Sequence, residues 1–144
     1  MSELRVGVAG AGVFGNYHAQ KAAASATTSL SGIFDIDDAR GKAVAAPYGV
    51  PNYTKLEDLL DVSDAIVVAV PAVYHADLVR RALAADKHVL VEKPLALTES
   101  VARDLAGEAV KKGLILQVGH QERFVAKAMG MFRIEETPKL MESI

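Results

Sequence analysis

Gly10, Gly12 and Gly15 stand at G-x-G-x-x-G spacing, directly after the apolar run Leu4, Val6 and Val8 and ahead of a segment of helical composition. That arrangement suits a phosphate. The first glycine permits a sharp turn, and the second lets backbone approach the phosphate with no Cβ between them. The third lets a helix pack on the strand with its free N–H groups aimed at the anion. Two other readings of the same residues stay open. One is a glycine turn between strand and helix that holds no ligand. The other is a Walker-type loop, which meets Asn16 where a nucleoside triphosphatase needs lysine.

Asp35 lies twenty residues past Gly15, at the tip of a second apolar run. A dinucleotide site places an acid there to accept hydrogen bonds from the adenosine ribose hydroxyls. Asp37 and Asp38 add carboxylates that would repel a 2′-phosphate and outnumber Arg40, so NAD is expected over NADP. One of that pair also reads as a helix N-cap. Lys93 ends a Val-rich run beside Glu92 and before Pro94. On its residues alone it is either a solvated strand-end lysine or a catalytic one, and its strand neighbour Glu92 points to the opposite face.

These residues need elements to position them. The pattern predicts a strand over 4–9, a helix from Val13 to about Ala24, a loop over 25–29 and a strand from Leu30 that ends at Asp35. A helix from Ala39 to about Ala46, a break at Pro47 to Pro51 and a short strand at 49–53 follow. Thr54 is expected to cap a short helix through Leu60, with Glu57 at capping-box distance. Ala65 to Val70 reads as a central strand ended by Pro71, and Tyr74-His75 opens a helix to about Ala85. His88 to Glu92 is a strand, Thr98 caps a helix to about Lys112, Gly113 closes it, and Leu114 to Val118 is the last strand. Alternating strands and helices predict an α/β fold, a Rossmann-type doubly wound parallel sheet in three αβα layers. Ligands bind such sheets at the carboxyl ends of the strands. The loops at Gly10–Gly15, Asp35, Pro71–His75, Lys93–Pro94 and Gly119–His120 therefore share one edge.

Composition excludes other classes. The chain has 144 residues, net charge −2, half hydrophobic and a quarter charged. This is one domain's worth of chain, without the basic balance that nucleic acid requires and without an apolar run of membrane-spanning length. No signal peptide is read at the N-terminus. Cysteine is absent, which removes thiolate and disulfide chemistry and by default favours a cytoplasmic location. His18, His75, His88 and His120 show no metal-ligand spacing, so no metal is expected. His18, one turn into the first helix, reads as a packing or surface residue.

Four stretches together resemble the N-terminal domain of the glucose-fructose oxidoreductase / inositol 2-dehydrogenase / rhizopine-catabolism (Gfo/Idh/MocA) oxidoreductase family. They are Gly10-Ala11-Gly12-Val13-Phe14-Gly15, Ala69-Val70-Pro71 with His75, Glu92-Lys93-Pro94, and Gly119-His120-Gln121-Glu122-Arg123-Phe124. The resemblance covers residues 3 to about 125. It implies an NAD(P)-dependent dehydrogenase that oxidises a sugar or polyol hydroxyl or reduces the matching ketone. Lys93 is then the catalytic residue, near the reacting oxygen, and the Lys93–Pro94 bond is cis. A lysine titrates near about 10.4 when free, so work as a base needs burial or a nearby cation. The implied cofactor-binding set is Gly10, Gly12, Val13, Phe14, Gly15, Asp35, Ile36, Val70, Pro71, His75, Glu92, Lys93, Pro94 and Gln121. Arg123 is expected near cofactor or substrate, or in a structural ion pair.

Members of that family carry a second, mainly antiparallel domain that sets substrate specificity. Residues 1–122 read as the dinucleotide domain, and 123–144 as a linker with the opening strand of a truncated second domain. Val125 to Phe132 is expected as a short helix and Pro138 to Ile144 as that strand. A fragment of a longer enzyme is the preferred reading, in which the chain alone is inactive and meets a sugar or polyol only with the second domain. A stand-alone, non-catalytic NAD-binding or redox-sensing module acting through a partner is the alternative. Strand addition through 134–144 would make a homo-oligomer.

Overall fold

The computed structural model describes residues 3–129. A single six-stranded sheet runs in the order β3-β2-β1-β4-β5-β6, every pairing parallel. The strands are β1 (Leu4–Ala9), β2 (Thr28–Phe34), β3 (Asn52–Tyr53), β4 (Ala65–Val68), β5 (His88–Glu92) and β6 (Leu116–Gly119). The helices are α1 (Val13–Ala24), α2 (Asp38–Ala45), α3 (Leu56–Asp61), α4 (His75–Ala84), α5 (Glu99–Lys112) and α6 (Glu122–Ala128). The order reverses between β1 and β4, which opens a crevice where their loops part.

Burial on both faces explains the continuous apolar strands. Alternate residues of β4 point opposite ways. Ile66 and Val68 join Leu59 and Leu60 of α3, Leu83 of α4 and Leu105 of α5 in one cluster. Val67 joins Val8, Ile33, Ala19 of α1 and Ala45 of α2 in the other. The layers are therefore α1 and α2, the sheet, then α3, α4 and α5, the expected three-layer αβα architecture. Among the described residues no helix is long and apolar enough to cross a membrane.

Local signals hold where they are short-range. Asp37 caps α2 by accepting from the Arg40 N–H, and Thr98 caps α5 by accepting from the Val101 N–H. Gly113 ends α5 in the left-handed conformation.

Several boundaries differ, that of β4 among them, which ends at Val68 rather than Val70. β2 starts at Thr28 rather than Leu30, because Leu4 and Arg5 already pair with Thr28 and Ser29. Thr54 does not cap α3: the N-cap position falls on Lys55, without a side-chain cap. β6 begins two residues late because the Leu114 N–H is spent on Ala109 O, closing α5. The last helix starts at Glu122, not Val125, since Gln121 O already accepts from the N–H groups of Phe124 and Val125. The expected strand at 138–144 lies outside the described residues.

Candidate functional site

Five loops meet at the carboxyl edge of the sheet, as the alternation requires. The β1–α1 loop is the tightest. Gly10 has φ +106°, and a Cβ there would lie 2.3 Å from Ala69 O, while one on Gly15 would lie 1.8 Å from Gly10 O. Only glycine lets α1 sit this close to β1 and β4. Around Gly12, by contrast, a Cβ would meet nothing within 4 Å. Gly12 faces open space, namely a cleft of ≈ 600 Å³ shared with Val13, Phe14, Ile36, Val70 and Pro71. The volume falls in the range of small-molecule sites.

Asp35 forms the floor at the β2 end and is 7% exposed. Its Oδ2 accepts from the Ala11 N–H at 2.6 Å and from Arg40 Nε at 3.2 Å. Its Oδ1 accepts from the Asp37 N–H at 2.8 Å and from Arg40 at 2.7 Å. Burial opposes ionisation, but the Arg40 hydrogen bonds and the two backbone N–H groups outweigh it and hold the carboxyl below the usual carboxylate range. Four contacts fill the roughly four acceptor positions of a carboxylate. A further hydrogen-bond donor would therefore reach Asp35 by displacing or sharing one of these contacts, of which those of the half-exposed Arg40 lie nearest the surface.

At the other end of the edge, Glu92 is buried and takes two hydrogen-bonding side chains on one oxygen. His18 Nε2 lies 2.6 Å from Oε1, and Gln121 Nε2 donates to it at 3.2 Å. His18 is thus a tie between α1 and β5 rather than a simple packing or surface residue. Lys93 is half-exposed and pairs with Glu122 at 2.6 Å. That hydrogen bond and charge raise its pKa above the ordinary lysine value. Neither burial nor a neighbouring cation prepares this amine as a base within the described residues. The Lys93–Pro94 bond is cis, and His75 lies beneath it, 1% exposed.

Gly10, Gly12, Val13, Phe14, Asp35, Ile36, Val70 and Pro71 thus line one cleft. Gly15 and His75 support it from below. Glu92, Lys93, Pro94 and Gln121 stand at the ends of β5 and β6, outside that lining. The wall formed by Tyr74, Asp77, Leu78 and Arg81 extends the expected Pro71–His75 loop into α4. Its i, i+3, i+4, i+7 spacing is the signal of one helix face, on which Leu78 is buried, and nothing local to it points to a ligand.

A strand, a tight glycine loop opening a helix, an acid at the next strand tip and an open cleft at the switch point define a dinucleotide-binding Rossmann domain. The chain belongs to the oxidoreductase family described as "Oxidoreductase family, NAD-binding Rossmann fold", which matches residues 4–120. UDP-N-acetylglucosamine 3-dehydrogenase of Acidithiobacillus ferrooxidans is 36% identical over 85% of this chain and 39% of its own length. The structure of that enzyme superposes with TM-score 0.84 over 92% of this chain and 43% of its own. Inositol 2-dehydrogenase 1 of Saccharopolyspora erythraea is 37% identical over 90% of this chain and 40% of its own. GenD2 from gentamicin A biosynthesis, solved in complex with NAD, is 36% identical, with TM-score 0.80 over 83% of this chain and 35% of its own. The chain spans about two fifths of the length of the curated relatives it matches.

Proposed function

We propose that this chain is the cofactor half of a dehydrogenase that moves hydride between NAD and a sugar or polyol hydroxyl or ketone. The observation that carries the reading is the meeting of the Gly10–Gly15 loop, Asp35 and the Lys93 turn along one sheet edge. The cleft fits the group: Gly12 leaves backbone bare towards open space, and the first turn of α1 aims free N–H groups at it. When bound, NAD supplies the hydride acceptor. The chain's own part is to hold the pyrophosphate over Gly10 to Gly15, to seat the adenosine against Asp35 and Ile36, and to hold Lys93 where a reacting oxygen would accept its N–H.

NAD is preferred over NADP in this reading. Asp35, Asp37 and Asp38, together at the tip of β2, would repel a 2′-phosphate and outnumber Arg40 there. Calorimetric titration of the 144-residue chain with NAD and NADP, with Asp35→Ala alongside, tests it. NAD should bind, and Asp35→Ala should weaken it by about tenfold or more, the scale of a hydrogen bond to a charged group. NADP binding at least as tight as NAD would overturn the preference. For the dehydrogenase itself the test is Lys93→Ala in a family-length protein containing this domain, where unchanged turnover would sink the assignment.

The second reading is a non-catalytic NAD-binding or redox-sensing module that acts through a partner. The Lys93–Glu122 ion pair favours it, since an exposed, ion-paired lysine is unprepared as a base. Turnover that appears once a substrate domain is supplied would exclude this reading, and NAD binding that never leads to turnover would support it.

A further inference from the structure

We infer that His75 is a positioning residue that locks the loop after β4 to the Lys93–Pro94 turn, setting the nicotinamide end of the cleft. This rests on the reading of the cleft as a dinucleotide site. Its evidence is separate and lies in how the sheet ends.

The β4–β5 ladder runs from Ala65 opposite His88 to Val68 opposite Val91. Past that rung both chains must turn into loops, and each soon meets a proline, Pro71 or Pro94. Proline has no N–H, so neither residue can donate to a further rung. Carbonyls left at such an edge need donors from elsewhere. His75, the first residue of α4, reaches two of them from its side chain. Nδ1 lies 2.6 Å from Pro94 O, and Nε2 lies 2.8 Å from Val70 O. The ring spans the gap as a side-chain rung where backbone pairing has stopped.

The chemistry narrows the role. Both partners are carbonyl oxygens, which only accept, so each contact calls for a ring N–H on its side; a neutral imidazole carries one at a time and can offer it to either. With both nitrogens facing protein and the residue 1% exposed, His75 has no atom left for cofactor or substrate. It acts through Val70, which lines the cleft, and through Pro94, which follows Lys93. Loss of the ring would free the two loops to move independently, at the end where Lys93 must meet the reacting oxygen.

The experiment uses the chain as it stands and two ligands, NAD and ADP-ribose, which lacks the nicotinamide. His75→Phe keeps the ring volume and removes both ring nitrogens; His75→Gln keeps a donor. We expect His75→Phe to lower NAD affinity by about tenfold while ADP-ribose stays within about twofold, the scale of one lost hydrogen bond at one end. His75→Gln should recover part of the loss. Amide hydrogen exchange should quicken over residues 70–72 and 93–95 and stay unchanged over 10–15. Equal losses for both ligands, or no loss in either, overturn the inference, as does exchange that quickens throughout. Should His75→Phe not fold, His75→Gln is read by the same comparison. Wild-type chain that binds neither ligand refutes the dinucleotide reading, and the exchange pattern then decides the lock by itself.

Discussion

His18 Nε2 stands 2.6 Å from Glu92 Oε1, so the helix that carries the glycine loop is tied to the strand that carries Lys93. The two residues are 74 positions apart, on α1 and β5, and β4 separates β5 from β1, the strand that leads into α1. Gln121 donates to the same oxygen from the β6 end. One buried carboxylate therefore fixes three elements at the carboxyl edge of the sheet, beside the Lys93–Pro94 turn. Glu92→Leu would leave the half-buried His18 and Gln121 without their acceptor. It should cost about 1–3 kcal/mol, a fall in Tm of roughly 2–4 °C for each kcal/mol in a domain of this size. Glu92→Gln, which keeps an acceptor oxygen, should cost less. Thermal unfolding followed by circular dichroism is the check, and equal melting of Glu92→Leu and wild type would mean the tie is slack.

Acid should weaken the fold through Asp64 and Asp35. Asp64 accepts from the Arg5 backbone N–H and from its guanidinium, at 2.9, 3.0 and 2.6 Å, and these hydrogen bonds pull it down to about 2. Asp35 lies below its ordinary value too, its burial outweighed by Arg40 and two backbone N–H groups. In each case the unfolded chain takes up its proton at higher pH than the folded one. The contribution is therefore fully present above the ordinary value of 3.8 and is lost as pH falls from there towards about 2. Urea unfolding as a function of pH should show Asp64→Asn less stable than wild type at neutral pH and converging with it near pH 2. A gap that stays constant across that window would show that the ion pair contributes nothing.

The fold was legible because its signals are local. The glycine loop, the apolar runs of β4 and β5, Asp37 and Thr98 as caps and Gly113 as a helix end all act within a few residues of themselves. Asp35 was legible for the same reason, being set by its distance from the loop. What escaped depends on packing. Nothing near His18 marks it as the partner of Glu92, because the pairing exists only once β5 lies beside β4 and α1 folds over them. Arg40 has the type of a phosphate ligand, whereas the fold turns it onto Asp35. Thr54 has the type of a cap but sits one residue too early for the turn that forms. Leu114 has strand character, yet its N–H closes α5 first.

Lys93 should titrate higher in this chain than a free lysine does. Its partner Glu122, at 2.6 Å, raises it through a hydrogen bond and then through charge, so the amine is cationic at neutral pH. Glu122→Gln should bring it back towards the ordinary value of 10.5. Carbon-13 NMR of the lysine side chains against pH resolves the two cases. If Lys93 titrates alike in both proteins, the ion pair is too screened by solvent to govern it, as many exposed pairs are.

Gly12 and Gly15 should fail differently when changed to alanine, and the contrast separates folding from binding. A Cβ on Gly15 would sit 1.8 Å from Gly10 O, a backbone atom held by its own loop, whereas a Cβ on Gly12 meets no protein atom within 4 Å. Gly15→Ala must push α1 away from β1, so it should destabilise the domain by several kcal/mol, in the manner of an overpacked core. Gly12→Ala sits at φ −73°, ψ −168°, an extended conformation open to any residue. It should melt within a degree or two of wild type, since the substitution forces no atom to move and only limits the unfolded chain. If the space in front of Gly12 is where a pyrophosphate approaches backbone, the added methyl group occupies it, and NAD affinity should fall by tenfold or more, roughly the scale of one lost charge-assisted hydrogen bond. Calorimetric titration beside a melting curve gives both quantities from one preparation. A Gly12→Ala chain that folds normally and binds NAD as tightly as wild type would remove the glycine loop from the binding site.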